Sequence, residues 1–145
     1  MIPVLLDTNV ILDALLDREP WAADAKKIWA AHLEGQLAAH VTATSLTDVF
    51  YVSYRIAGRS RAWQAVRACL DQLYVIPVGL SELLAAASWE NGDFEDNLQM
   101  ALASSAQVNA IVTRDTAGFS TSAVRVQTPA QLVARLSPTA PETTE

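Results

Sequence analysis

The stretch IPVLLDTNVILDALL, residues 2–16, decides how this chain reads. Ile2 to Leu6 is a short apolar run, too brief for a helix, and Asp7, Thr8 and Asn9 follow it with no polar run-in. Such a run predicts a buried strand over 2–6 ending at Asp7, with a helix behind it through Leu16. An acid at the end of a buried strand is held rigidly, and the question is what it is held for.

Outward from there, strand and helix signals alternate. Asp17 to Pro20 breaks the first helix, since proline cannot continue a helix but suits the first turn of a new one. From Trp21, Ala25, Ile28, Trp29 and Leu33 recur at helical spacing until Gly35. Leu37 to Val41 predicts a second strand. Thr42 or Thr44 then caps a helix with Leu46, Val49, Phe50, Ser53 and Ala57 on one face, ended by Gly58. Ser60 is expected to cap the next helix, with Trp63, Val66, Leu70 and Leu73 inward. Tyr74 to Val78 predicts a third strand. A helix from Ser81 carries Leu83, Leu84 and Ala87 and ends at Asn91-Gly92; another begins at Asp93 with Phe94, Leu98, Ala101, Leu102 and Ser105 on one face. Ala110 to Thr113 predicts a strand, Val124 to Gln127 a last short one, and Thr128-Pro129 opens a helix through Leu136. Ser137 to Glu145, rich in Pro and Thr, reads as a frayed or disordered tail. The expectation is an α/β domain over 1–136 with a central parallel sheet of four to five strands covered on both faces.

Composition agrees with one globular domain. The 145 residues are 51% apolar and 18% charged, with 5 Gly and 6 Pro. No apolar run approaches the roughly 18 residues of a membrane span, and the N-terminus lacks the basic region and cleavage site of a secretory signal. A soluble, cytoplasmic protein without membrane partners is expected. Cys69 is the only cysteine, which excludes an intramolecular disulfide and reads as a buried thiol beside Val66, Leu70 and Leu73. The net charge of −6 repels nucleic acid at long range. Yet from Val49 to Leu70 there is no acid, while Arg55, Arg59, Arg61 and Arg67 alternate with Tyr51, Tyr54 and Trp63. That segment is either a phosphate-facing patch or a pair of solvated helix faces.

In a parallel α/β sheet, strand C-terminal ends and helix N-terminal ends share one edge, where ligands bind. Asp7 and Asp115 end predicted strands, Asp48 lies near the start of the helix after the second strand, and Asp93 and Asp96 open another. Each has a bland reading: Asp93 with Asp96 resembles a cap, Asp7 could cap the first helix, and Asp115 could start a turn. Together, five acids on one edge would repel one another unless a cation joined them. With only hard oxygen donors, Mg²⁺ or Mn²⁺ fits better than zinc; Thr8 and Asn9 can add a neutral oxygen or hold water. His32 and His40 belong to no nucleophile and base pair, and the chain has no P-loop, GxGxxG or GxSxG motif. Metal-assisted hydrolysis is the chemistry left.

The segments VLLDTNVILDALL, VTATSLTDVFYV, DFEDNLQMALA and AIVTRDTAGF resemble, in order and spacing, the motifs of PIN-domain ribonucleases, particularly VapC-type toxins of bacterial toxin-antitoxin pairs. VQTPAQLVARL resembles that family's last strand and helix. The likeness spans residues 2 to 136. It implies a three-layer α/β/α fold and an Mg²⁺- or Mn²⁺-dependent endoribonuclease. By the same resemblance Asp7, Asp96 and Asp115, with Asp93 as the extra acid of the DFED variant, hold the metal, and Asp7, Asp48, Asp96 and Asp115 are the catalytic acids. Asn9 and Thr113 line the site. Asp48 stands where glutamate is common, and Asn97 where a small residue is usual. Arg55, Arg59, Arg61 or Arg114 could position the RNA backbone. The implied partners are RNA, a small antitoxin and a second copy of the chain. Two rivals stay open: a catalytically inert binding module on the same fold, and a receiver-like domain that phosphorylates an aspartate, which would need a later lysine that this chain lacks.

Overall fold

The computed structural model describes residues 1–90 and 92–136; the expected helix end at Asn91 and the expected tail from Ser137 to Glu145 lie outside the described residues. Five strands, β1 (Ile2–Leu6), β2 (Leu37–Thr42), β3 (Tyr74–Ile76), β4 (Ala110–Val112) and β5 (Arg125–Gln127), form one sheet in the order β3-β2-β1-β4-β5. Every pairing is parallel. The apolar opening strand is the centre of the sheet, and strand order reverses there, which places a crevice beyond the ends of β1 and β4.

The pleat divides the core into two layers. Val4 and Leu6 face one side with Ala39, Val41, Ala110 and Val112, where α1 (Thr8–Leu15), α2 (Ala22–Leu33), α3 (Ala43–Ala57), α4 (Arg59–Gln72) and α7 (Pro129–Arg135) cover them. Leu5 and Ile111 face the other side with Ile76, under α5 (Leu80–Ser88), α6 (Phe94–Ser105) and Phe119 of a short 3₁₀ turn, Thr116–Phe119. This is the expected three-layer arrangement, with a fifth strand that is short but real. Cys69 is buried as expected, and burial pushes its thiol up to about 12, so it packs rather than reacts.

Caps follow the sequence closely. Thr42 rather than Thr44 caps α3, Asp93 caps α6, and Thr128 with Gln131 forms a reciprocal capping box on α7. Gly58, at φ +88°, both ends α3 and opens α4, so Ser60 is not the cap; a left-handed backbone there suits only glycine.

Several helix faces differ from the expectation. In α4 the buried stripe is Ala62, Ala65 and Cys69, with Leu73 beyond it, while Trp63 and Leu70 are exposed. The small residues carry an equally good helical period, and they let α4 lie close against α3 where bulkier side chains would hold it off. Leu33, Ala57, Leu84, Ala87, Phe94 and Ser105 are likewise exposed. His32 accepts from the Ala39 N–H through Nδ1, which leaves Nε2 to donate to the Gln72 carbonyl. His40 stacks on Tyr74. Both histidines are structural. Among the described residues no helix is long and apolar enough to cross a membrane.

Candidate active site

Asp7 extends β1 by one bond, its N–H donating to the Val112 carbonyl at 2.9 Å, and its side chain caps α1. The carboxylate is buried and gripped on both oxygens. Oδ1 accepts from the Thr8 N–H at 2.7 Å and from Gln99 Nε2 at 3.1 Å; Oδ2 accepts from the Thr113 hydroxyl at 2.8 Å. The Thr113 oxygen in turn accepts from the Asp115 N–H at 2.9 Å. One threonine hydroxyl at the end of β4 thus fixes two of the predicted acids.

Asp96 and Asp115 converge on a glycine. A Cβ placed on Gly118 would stand 2.8 Å from Asp96 Oδ2 and 3.0 Å from Asp115 Oδ2, closer than carbon and oxygen pack. Any side chain there would have to displace those two carboxylate oxygens. The Gly118 N–H also donates to Asp115 Oδ1 at 3.3 Å. Asp93 holds the Asp96 N–H at 3.1 Å, so its capping role is real and it adds negative charge beside Asp96. Asp48 reaches across from α3 to Glu95 of α6, and the two carboxyls hydrogen-bond.

The crowding shows in the proton affinities. Burial, and then the charges of Asp93, Asp7 and Asp115, raise Asp96 from 3.8 to about 6. The hydrogen bond with Asp48, then burial, then the charges of Asp48, Asp93 and Asp7 raise Glu95 from 4.5 to about 8. A carboxyl whose folded pKa is raised keeps a proton that the unfolded chain has lost, so folding stability falls as pH rises from the ordinary value to the folded one. Without divalent ions the melting temperature is therefore expected to fall between about pH 4 and pH 8, and Mg²⁺ should restore it at the alkaline end. Thermal melts across that range in EDTA and in Mg²⁺ check this; a flat profile in EDTA would mean that the acids do not crowd.

The donor set fits a hard divalent cation. Carboxylate oxygens of Asp96 and Asp115 flank the space over Gly118, and the charges of Asp93, Asp7 and Asp115 raise the cost of ionising Asp96. Among the described residues, no group of three or more His, Cys, Asp or Glu side chains stands where it could hold a metal ion. A cleft of about 640 Å³, lined by Glu82, Trp89, Met100 and Thr121 among others, contains none of these acids.

The remaining predicted residues divide. Thr8 is buried and donates to the Ser45 hydroxyl at 2.9 Å, joining α1 to the first turn of α3 that carries Asp48. Asn9 turns its amide oxygen to Arg18 at 3.3 Å. Arg114 pairs with Asp13 and lies on the Trp21 ring. Arg61 donates to the Leu15 carbonyl at 2.8 Å. Arg55 and Arg59 are exposed near the turn between α3 and α4. Asn97 donates to the Ala86 carbonyl at 3.3 Å and ties α6 to α5.

Four residues went unread in the sequence: Glu95, Gln99, Gly118 and Asp13. Gln99 had a signal, since position i+3 from Asp96 shares its helix face. Glu95 lies within the DFED run itself. Gly118 and Asp13 had none, because their roles depend on partners brought by other elements.

A family model described as PIN domain matches residues 3–117. Comparison with the curated proteins gives no match. Among solved structures the chain is similar to DNA-bound VapBC from Salmonella typhimurium, at 14% identity and a TM-score of 0.67 over 89% of this chain and 99% of that one. It is similar to a toxin-antitoxin complex from Klebsiella pneumoniae, at 20% identity and 0.64 over 87% and 97%. A third is VapC20 of Mycobacterium tuberculosis, a toxin that cleaves the sarcin-ricin loop, at 16% identity and 0.64 over 74% and 86%. At such identities the likeness is one of fold, and it joins the matched family model and the acid-lined crevice in one conclusion: the chain belongs to the PIN-domain family.

Proposed function

We propose that this protein is a Mg²⁺- or Mn²⁺-dependent endoribonuclease, the toxin of a VapBC-type pair. The observation that carries the reading is the meeting of Asp96 and Asp115 over Gly118, with Thr113 linking Asp115 to Asp7. Asp7, Asp96 and Asp115 would hold the ion, with Asp93 and Asp48 contributing charge from the rim. A bound divalent ion supplies an activated water and neutralises charge on the scissile phosphate. The chain's own work is positioning. Gln99 and Thr113 grip the Asp7 carboxylate from both sides, and supporting bonds of that kind matter nearly as much as the ligands. Glu95, raised to about 8 chiefly by its hydrogen bond with Asp48, keeps its proton near neutral pH. The cation also lets a chain of net charge −6 accept an anionic strand.

An antitoxin partner is supported by the likeness to VapBC complexes, and a homodimer in the cytoplasm belongs to the same reading. The test is incubation of purified protein with structured and unstructured RNAs in Mg²⁺, in Mn²⁺ and in EDTA. Internal cleavage that EDTA abolishes and added metal restores is the expected result. No cleavage of any RNA in either metal would overturn it and leave a binding module on a PIN fold.

A further inference from the structure

Asp13 lies on α1, fully buried at 0% exposure, and two guanidiniums meet it. Arg18 Nε donates to Oδ1 at 2.8 Å; Arg114 donates from Nε to Oδ2 at 2.7 Å and from Nη2 to Oδ1 at 3.2 Å. The trio at this corner itself carries one negative charge against two positive, with Asp17, Glu19 and Asp115 adjoining the arginines in sequence. Trp21 closes it: the Arg114 guanidinium carbon sits 3.7 Å from the ring centroid. Trp21 is nevertheless 42% exposed, so part of its ring meets solvent.

The corner is wired to the acids. Arg114 stands between Thr113, whose hydroxyl holds Asp7, and Asp115. Arg18 also donates to the backbone and side-chain oxygens of Asn9, both at 3.3 Å. Asp13 is six residues beyond Asp7, about 9 Å along the helix axis, or roughly three nucleotides at the ~3.4 Å rise of a stacked strand.

We infer that Trp21, Arg18 and Arg114 form a strand-binding subsite, in which the open part of the Trp21 ring stacks an unpaired RNA base and the surplus positive charge holds a neighbouring phosphate. A paired base has both faces covered by its neighbours, so a protein ring can stack only on a single strand. Arginine beneath the indole keeps it in place and brings charge to the flanking backbone. The inference rests on the ribonuclease reading for its ligand class, single-stranded RNA.

The test measures fluorescence anisotropy of a labelled, 2′-O-methylated single-stranded RNA, which resists cleavage, and of the same strand annealed to its complement, in Mg²⁺. Trp21→Ala should weaken single-strand binding by roughly tenfold, with duplex binding unchanged, and Trp21→Phe should stay within about threefold of the parent. Trp21→Leu, which keeps apolar bulk without a ring, should lose as much as alanine, separating stacking from folding; circular dichroism melts accompany each variant. Equal single-strand affinity in parent, Ala and Leu forms overturns the subsite, as does a defect seen only with a protein partner. Unmodified RNA is assayed for cleavage in parallel. Cleavage with no Trp21-dependent binding sinks the subsite alone. Trp21-dependent binding without cleavage sinks the ribonuclease reading alone, and neither binding nor cleavage sinks both.

Discussion

Asp7→Asn is expected to lower Mg²⁺-dependent RNA cleavage by on the order of 10³-fold or more, the scale for losing a group that stabilises developing charge. The fold should survive it. An asparagine oxygen can still accept from the Thr8 N–H and from Gln99, and the Thr113 hydroxyl can turn to accept from the new amide. Removing one charge also relieves the acids, since Asp7 is among the groups that raise both Asp96 and Glu95. In EDTA the variant should therefore melt at or above the parent temperature near pH 8, while losing the stabilisation that Mg²⁺ gives the parent. Cleavage rates and paired melts check both halves. Full activity in Asp7→Asn would remove the site, and a collapsed fold would make Asp7 a cap first and a ligand second.

Asp13→Ala should cost stability rather than chemistry in the first instance. Its removal takes the shared carboxylate from two guanidiniums, leaving Arg18 its bonds to Asn9, at a place where the carboxylate is fully buried and each arginine side chain is about one-quarter exposed. Breaking a buried pair costs about 3–5 kcal/mol; solvent at the arginines favours the lower end, about 3 kcal/mol. For a chain of this size that is a fall in melting temperature of roughly 10 °C. Denaturant unfolding and calorimetry measure it. A loss under about 1 kcal/mol would class the cluster with ordinary surface ion pairs. Cleavage should fall as well, because Arg114 joins Thr113 to Asp115 and its release loosens both.

How much of this was legible varies with the reach of each interaction. Asp7 as a strand end, Asp93 as a cap and Thr128 as a cap could all be read locally, and so could the shared edge of the acids, because parallel topology places every strand end on one side. The inward face of α4 could not: alanines and large residues both repeat at helical spacing, and only contact with α3 chooses between them. The same holds for the grip on Asp7, where Gln99 is 92 residues away and Thr113 106. Nor could the pairing of Arg114 with Asp13, 101 residues distant, be read from the sequence.

By itself, then, the order of residues determined which segments are strands and helices and which ends carry acids, because propensity, periodicity and capping act within a few residues of chain. The tertiary structure alone decided that Asp96 and Asp115 share the space over one glycine, that Asp48 leans on Glu95, and that a buried aspartate gathers two arginines, one of them against a tryptophan. Those are meetings of side chains from different elements, and their distances are set by how the layers pack.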